Sequence, residues 1–468
     1  MRRVKAGSAG MIGQTCKAGT GDVRTGKAGI GKAGLFMAML ALTACGAGRE
    51  EILQGTRLDP RDGSVLAAAN TGPVVNRAEK ISLGTPITRD SWTMTGAGRT
   101  HASGHNAFTS GTPHLMWTAD IGQGKTRRAR LTVDPVAEAG VIFAMDSAAR
   151  VTAVSASSGA PVWSVDLTPA GEKSGKVFGG ALAISGNTLY ATTGYGDLVA
   201  LDLSTGGERW RQRFEAVGAA GLSVHDGLAY VVAGDGQVWA VQTKDGRVKW
   251  TLSGPETITS RAGATSPAIG DKFAVLPFSS GDLYGVFRQG GVRYWSASLA
   301  GQRRGVVYAN VSDITSDPVI VGDRFYVGNQ AGRYAAFSMD MGERIWTADE
   351  GAYSPASVVG GSVFIVTDRN ELVRLSASNG QRIWGVQLPY YTTDKVRKRK
   401  AVFAHYGPVA AGGKMWVASD DAVLRGFDPV SGALVATVAL PKGAASDPIV
   451  VNGTMYLLLE DGSLAALR

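Results

Sequence analysis

The sequence predicts an all-β fold: an eight-bladed β-propeller of four-stranded antiparallel blades, closed by pairing of its N- and C-terminal segments. Three observations predict it. A Gly-x-x-x-Trp pattern recurs at spacings of 38 to 52 residues, too long for helical repeats of about 33 residues and near the length of a four-stranded blade. Between the Trp positions lie short alternating or β-branched runs separated by Gly, Asn and Asp, which are hairpin signals. Finally, the last unit, 447–468, has three strands and no Trp strand, whereas a lone Trp strand around His114–Ile121 precedes the first full unit. Each supplies what the other lacks, and joining them removes an exposed edge.

The elements follow in chain order. Residues 1–44 read as a leader. Lys-Ala-Gly recurs there, and the apolar run 35–42 is too short to span a bilayer but fits a signal-peptide core. It ends in Leu42-Thr43-Ala44-Cys45-Gly46, which resembles the bacterial lipobox, in which the Cys is acylated. Cys45 is therefore the expected lipidation site, and the lipid on it the only expected prosthetic group. Two or more acyl chains anchor stably where one does not, and Gly46, in place of Asp, implies the outer membrane. Cleavage there removes Cys16 and leaves no free thiol. Two Cys in 468 residues exclude a disulfide scaffold and a four-Cys zinc site.

Residues 45–100, with Pro60, Pro73 and Pro86 among polar residues, read as a lipidated N-terminus and tether. Most of the net charge of +9 sits in the leader, where seven Lys and Arg face only Asp22, so the charge argues for no nucleic-acid partner. An apolar content of 44% supplies a large core and excludes a disordered chain.

Residues 101–468 read as the propeller. Its outer strands are marked by Trp117, Trp163, Trp210, Trp250, Trp295, Trp346 and Trp384, with Ala436 in the eighth place. These Trp side chains are expected to fill the space between blades. The fullest unit, Ala200-Leu-Asp-Leu-Ser-Thr-Gly206-Gly-Glu-Arg-Trp210, resembles the tryptophan-docking motif of eight-bladed quinoprotein (PQQ-like) propellers. With the lipobox, the tether and the length, residues from about 42 to 468 look like the BamB family, lipoproteins of the outer-membrane β-barrel assembly machinery.

That resemblance implies a non-enzymatic scaffold on the periplasmic face of the outer membrane, docking on BamA and other assembly-machinery subunits and aiding the insertion of outer-membrane protein precursors. In the family, BamA docks on loops leading into two successive blades. Here those loops hold Ile258-Thr-Ser-Arg261 and Ser312-Asp313-Ile-Thr-Ser-Asp317-Pro318. Ile258, Arg261 and Asp313 carry over, Ser260 and Thr315 depart, and Asp317 is the candidate replacement for a missing carboxylate. The alternative for Arg261 and Asp313 is a mutual surface ion pair.

Related propellers that are dehydrogenases need an adjacent Cys pair, a calcium site and an Asp base, and the Cys pair is absent here. Asp202, Asp235, Asp282, Asp428 and Asp461 fall in turns, where Asp serves local hydrogen bonds. His101 and His105 lie four apart without a helix to align them, so no metal site is expected. Alternative readings are a quinone- or small-molecule-binding periplasmic propeller and an envelope adaptor for another partner. One further stretch stands apart: Lys395-Val-Arg397-Lys398-Arg399-Lys400 is either a solvated loop tip or a contact for anionic lipid or an acidic partner.

Overall fold

A computed structural model describes residues 75–127, 129–175, 179–214, 220–255, 265–299, 301, 303, 311 and 313–468. They form eight four-stranded antiparallel sheets. Blades 1 to 7 occupy residues 136–166, 180–213, 220–253, 268–298, 319–348, 357–387 and 405–439. Blade 8 combines residues 449–467 with the strand Leu115–Asp120. There Thr118 lies opposite Ala465 and Asp120 opposite Ser463. The closure is finished by His114 and Arg468, each of which donates its backbone N–H to the other's carbonyl.

Within each blade the first three strands are mostly buried, as in Thr188–Thr193, and the fourth alternates, as in Val248–Ser253. That pattern follows from the architecture. Both faces of a blade pack on neighbouring blades, while the outer strand meets water along its length. The core is accordingly a set of layers between blades. Phe143 and Val151 of blade 1 pack with Leu182 and Leu189 of blade 2, and Phe364 and Leu372 of blade 6 pack with Met415 and Val417 of blade 7. Loops from outer to inner strands, and the turns between the second and third strands, share one rim, called here the loop rim.

The structure differs from the sequence reading over residues 75–100, which that reading placed in the tether. These residues lie on the propeller. Asn76 exchanges hydrogen bonds with the backbone of Gly385, and Arg374 donates to the Glu79 carbonyl. Trp92 pairs with Ala137 of blade 1 and is buried. Thr93 accepts from Ile184 of blade 2, Arg99 from Ile269 of blade 4, Thr100 from Ile320 of blade 5 and Arg89 from Asn452 of blade 8. Asn106 donates to Ala410 of blade 7. The segment thus runs round the propeller axis from blade to blade, held mainly by main-chain hydrogen bonds to the inner strands and their turns.

Candidate functional site

The Trp side chains are placed by a repeated local device. One or two residues before each Trp the outer strand slips register, for example between Ala200 and Leu201 opposite Trp210 and Glu208. Such a bulge turns the following side chain, here toward the next blade. There the indole meets the turn of the following Gly-x-x-x-Trp unit. The Trp163 Nε1–H donates to Leu203 O (3.1 Å), Trp210 to Thr243 O (3.0 Å), Trp250 to Arg288 O (3.0 Å) and Trp295 to Met339 O (3.0 Å). Trp346 donates to Ala377 O (3.0 Å) and Trp384 to Pro429 O (3.2 Å). Each acceptor lies three residues before the Gly of its unit. That Gly has φ near +70° and packs flat on the indole: a Cβ on Gly159 would lie 2.6 Å from the Trp117 ring, and one on Gly206 2.7 Å from the Trp163 ring.

On the loop rim, five inner strands are preceded by Pro, at 135, 267, 318, 355 and 448, and in the inner strand His405–Ala411 Pro408 sits where the ladder slips register. Proline suits a strand start, where its missing N–H costs no ladder bond. The residues before these Pro link the blades around the axis. Asp134 accepts from Asp447 N–H (2.9 Å), Asp447 from Gly407 N–H (2.6 Å) and Ser354 Oγ–H (2.8 Å), and Asp317 from Ser266 N–H (2.6 Å). Burial pushes the Asp134 carboxyl well above the usual range, with the nearby Asp447 and Asp317 charges adding to it. Burial raises Asp447 as well.

Of the candidate docking residues, Ile258 and Arg261 lie outside the described residues, as does Cys45. Asp313 is only 2% exposed, and Asp317 is half-buried and holds the Ser266 N–H. The Asp313 carboxylate is thus turned away from solvent. The candidate loop leading into blade 5 is fastened by Arg303, a residue that the sequence does not single out. Arg303 makes two hydrogen bonds to the buried Asp368 (3.2 and 3.0 Å) and one to Asp349 O (3.0 Å). Asp368 also accepts from Gly351 N–H, and Arg382 bridges the neighbouring Glu350 and Glu371. Burial raises the Glu350 carboxyl. A basic pair in a long loop was the only signal; its buried acidic partners are some 50 to 65 residues away in sequence.

The axial segment and the Asp-Pro rim enclose a cavity of about 30 Å³, lined by Trp92, His101, Asp134, Pro408 and Asp447 among others, enough for roughly one water. His101 uses both ring nitrogens, Nδ1 on Pro318 O (2.9 Å) and Nε2 on Ser223 Oγ (3.4 Å), and burial lowers its pKa to about 4. His105 bonds Gly84 O and accepts from Gly413 N–H. Both rings have each nitrogen in a hydrogen bond and none left for a metal. Among the described residues no three His, Cys, Asp or Glu side chains gather to hold a metal ion, and no helix is long and apolar enough to cross a membrane.

The family described as outer membrane protein assembly factor BamB matches residues 147–386. BamB of Yersinia pestis is 22% identical over 360 residues, covering 76% of this chain and 88% of its own length. BamB of Salmonella typhimurium is 24% identical over 363 residues, covering 76% and 89%. Among solved structures, BamB of Moraxella catarrhalis superposes with a TM-score of 0.63 at 16% identity, covering 76% of this chain and 99% of that one. The quinohemoprotein alcohol dehydrogenase of Comamonas testosteroni gives 0.62 at 12% identity, covering 82% and 81%. At such identities the structural likeness shows the fold, which assembly factors and dehydrogenases share.

Proposed function

This chain belongs to the family of outer membrane protein assembly factor BamB, and from that premise we propose that it is a non-enzymatic scaffold of the β-barrel assembly machinery. It docks on BamA through the loop rim and helps precursors of outer-membrane barrels to fold and insert. Cys45 carries the lipid that holds it to the periplasmic face of the outer membrane.

One observation carries the non-enzymatic reading. Residues 89–106 of the chain line the axial space, where a propeller would hold a small molecule, and the cavity they enclose with the Asp-Pro rim is water-sized. A quinone or comparable ligand needs a pocket of about 300 Å³ or more. What the molecule offers to a partner is therefore its rims and its outer strands. Docking is assigned to the loops leading into blades 4 and 5, with Arg261 and Ile258 as the contacting side chains and Asp313 and Asp317 as parts of the loop frame. An Arg beside an apolar neighbour is a common anchor at protein interfaces.

Titration of the purified chain with purified BamA tests this. The unmodified chain should bind, and Arg261→Glu should weaken binding by about tenfold or more. Equal binding by both removes Arg261 from the interface. Addition of pyrroloquinoline quinone and calcium should leave the absorption spectrum the sum of its parts; a saturable new band would favour the cofactor-binding alternative.

A further inference from the structure

We infer that residues 389–403 form a rigid finger on the loop rim that rests on an anionic lipid surface. This inference rests on the membrane-anchored reading above. The finger's base is firmly built. Phe403 N–H donates to Tyr390 O (2.8 Å), Thr392 N–H donates to Ala401 O (3.1 Å), and Tyr391 pairs with Val402. Underneath, Asn370 Nδ2 donates to Phe403 O (2.8 Å) and the buried His405 bonds Pro389 O (2.8 Å) and Ser419 Oγ (2.6 Å). The tip is a single 3-10 turn, Val396–Lys398. Lys395, Arg397, Lys398, Arg399 and Lys400 are all exposed on or beside this turn, with Asp394 the one acid next to them.

Five like charges on one turn repel. Among the described residues none of the five forms an ion pair; Arg399 instead lies 4.8 Å over the Tyr391 ring. The turn therefore carries an electrostatic cost that an anionic surface would relieve. The apolar residues of the finger point to lipid rather than to a compact acidic patch. Val396, at the centre of the charged turn, is 73% exposed, and Tyr391 and Val402 are exposed beside it. A cationic turn with an aliphatic tip and a flanking Tyr suits the headgroup level of a bilayer.

The position agrees. Arg77 N–H bonds Ile383 O and Asn76 bonds Gly385, so the chain runs antiparallel to the outer strand Arg382–Gln387. It thus arrives from the end of that strand where the finger begins. Residues 75–77, the first described, lie on the outer strand of blade 6 with their N-terminal side toward the finger.

Vesicle flotation of the full chain carrying Cys45→Ser, which cannot be acylated, reads this surface. Vesicles of phosphatidylglycerol and phosphatidylethanolamine should bind it at 0.1 M salt, and pure phosphatidylcholine vesicles should not. Replacing the five cations together by Gln should weaken binding about 100-fold without moving the melting temperature. Arg261→Glu should keep lipid binding, so loss of BamA docking and loss of lipid contact read separately. Equal binding by the five-fold variant, or no binding to anionic vesicles by either protein, overturns the inference. In the second case, loss of a co-purifying protein from the variant would reassign the finger to an acidic partner.

Discussion

At the scale of single residues, the propeller depends on contacts between a Gly and a Trp that come from successive Gly-x-x-x-Trp units. Each Gly of the Gly-x-x-x-Trp pattern packs on the Trp of the blade before it, and its positive φ serves the tight turn beneath that ring. Gly206→Ala should therefore lower stability by about 2 kcal/mol or more, through an unfavourable backbone region and a Cβ driven into Trp163; thermal unfolding checks it. Trp384→Ala, at a fully buried site, should cost about 3–5 kcal/mol. The half-buried Asp134 works differently. Its folded pKa is raised, so the stability it permits is complete below its unfolded value of about 3.8 and is lost as pH rises through the raised folded value. Asp134→Asn keeps an oxygen for the Asp447 N–H and cannot ionise. It should raise the melting temperature more at pH 7 than at pH 4. The opposite dependence of His101, whose lowered pKa withdraws stability as pH falls from 6.5 toward 4, cancels in that difference. An equal gain or loss at both pH values would contradict the assignment.

At the scale of elements, strands were legible and the axial segment was not, for a physical reason. Strands advertise themselves because side-chain alternation and turn residues are set by which face is buried and where φ must be positive. The Trp docking was legible for the same reason, since a bulky ring and a missing Cβ must meet. Residues 89–106 are held largely by backbone N–H and C=O groups, which any sequence possesses, so Arg99-Thr-His-Ala-Ser-Gly-His-Asn reads as a loop. The Asp-Pro pairs on the rim, at 134, 317 and 447, do recur in the sequence, but nothing in the repeat reveals the bonds they make to the preceding blade. Arg374 shows how the segment is secured: it is buried opposite Trp384 and bonds Ser362 Oγ, Glu79 O and Pro429 O. Arg374→Met should free the first part of the segment. Limited proteolysis should then cut between residues 75 and 85 at least tenfold faster, while the blades stay resistant. Unchanged cutting would mean that the Asn76 and Arg77 bonds suffice alone.

At the scale of the whole molecule, one irregularity of the repeat explains itself. The eighth Trp position is Ala436, in blade 7, and the blade it faces is the closing one. There the third and fourth strands come from opposite ends of the chain, so no Gly-bearing turn joins them and an indole N–H would lack its usual acceptor. The closed ring, with its axial space lined by its own chain, leaves the rims for a partner, and BamA is the partner proposed. The measurement that tests it most directly is isolation of the tagged, full chain from detergent-solubilised outer membranes, with identification by mass spectrometry of what accompanies it. The account predicts that BamA is recovered in stoichiometric amount. A folded, membrane-anchored chain that returns without BamA would contradict it.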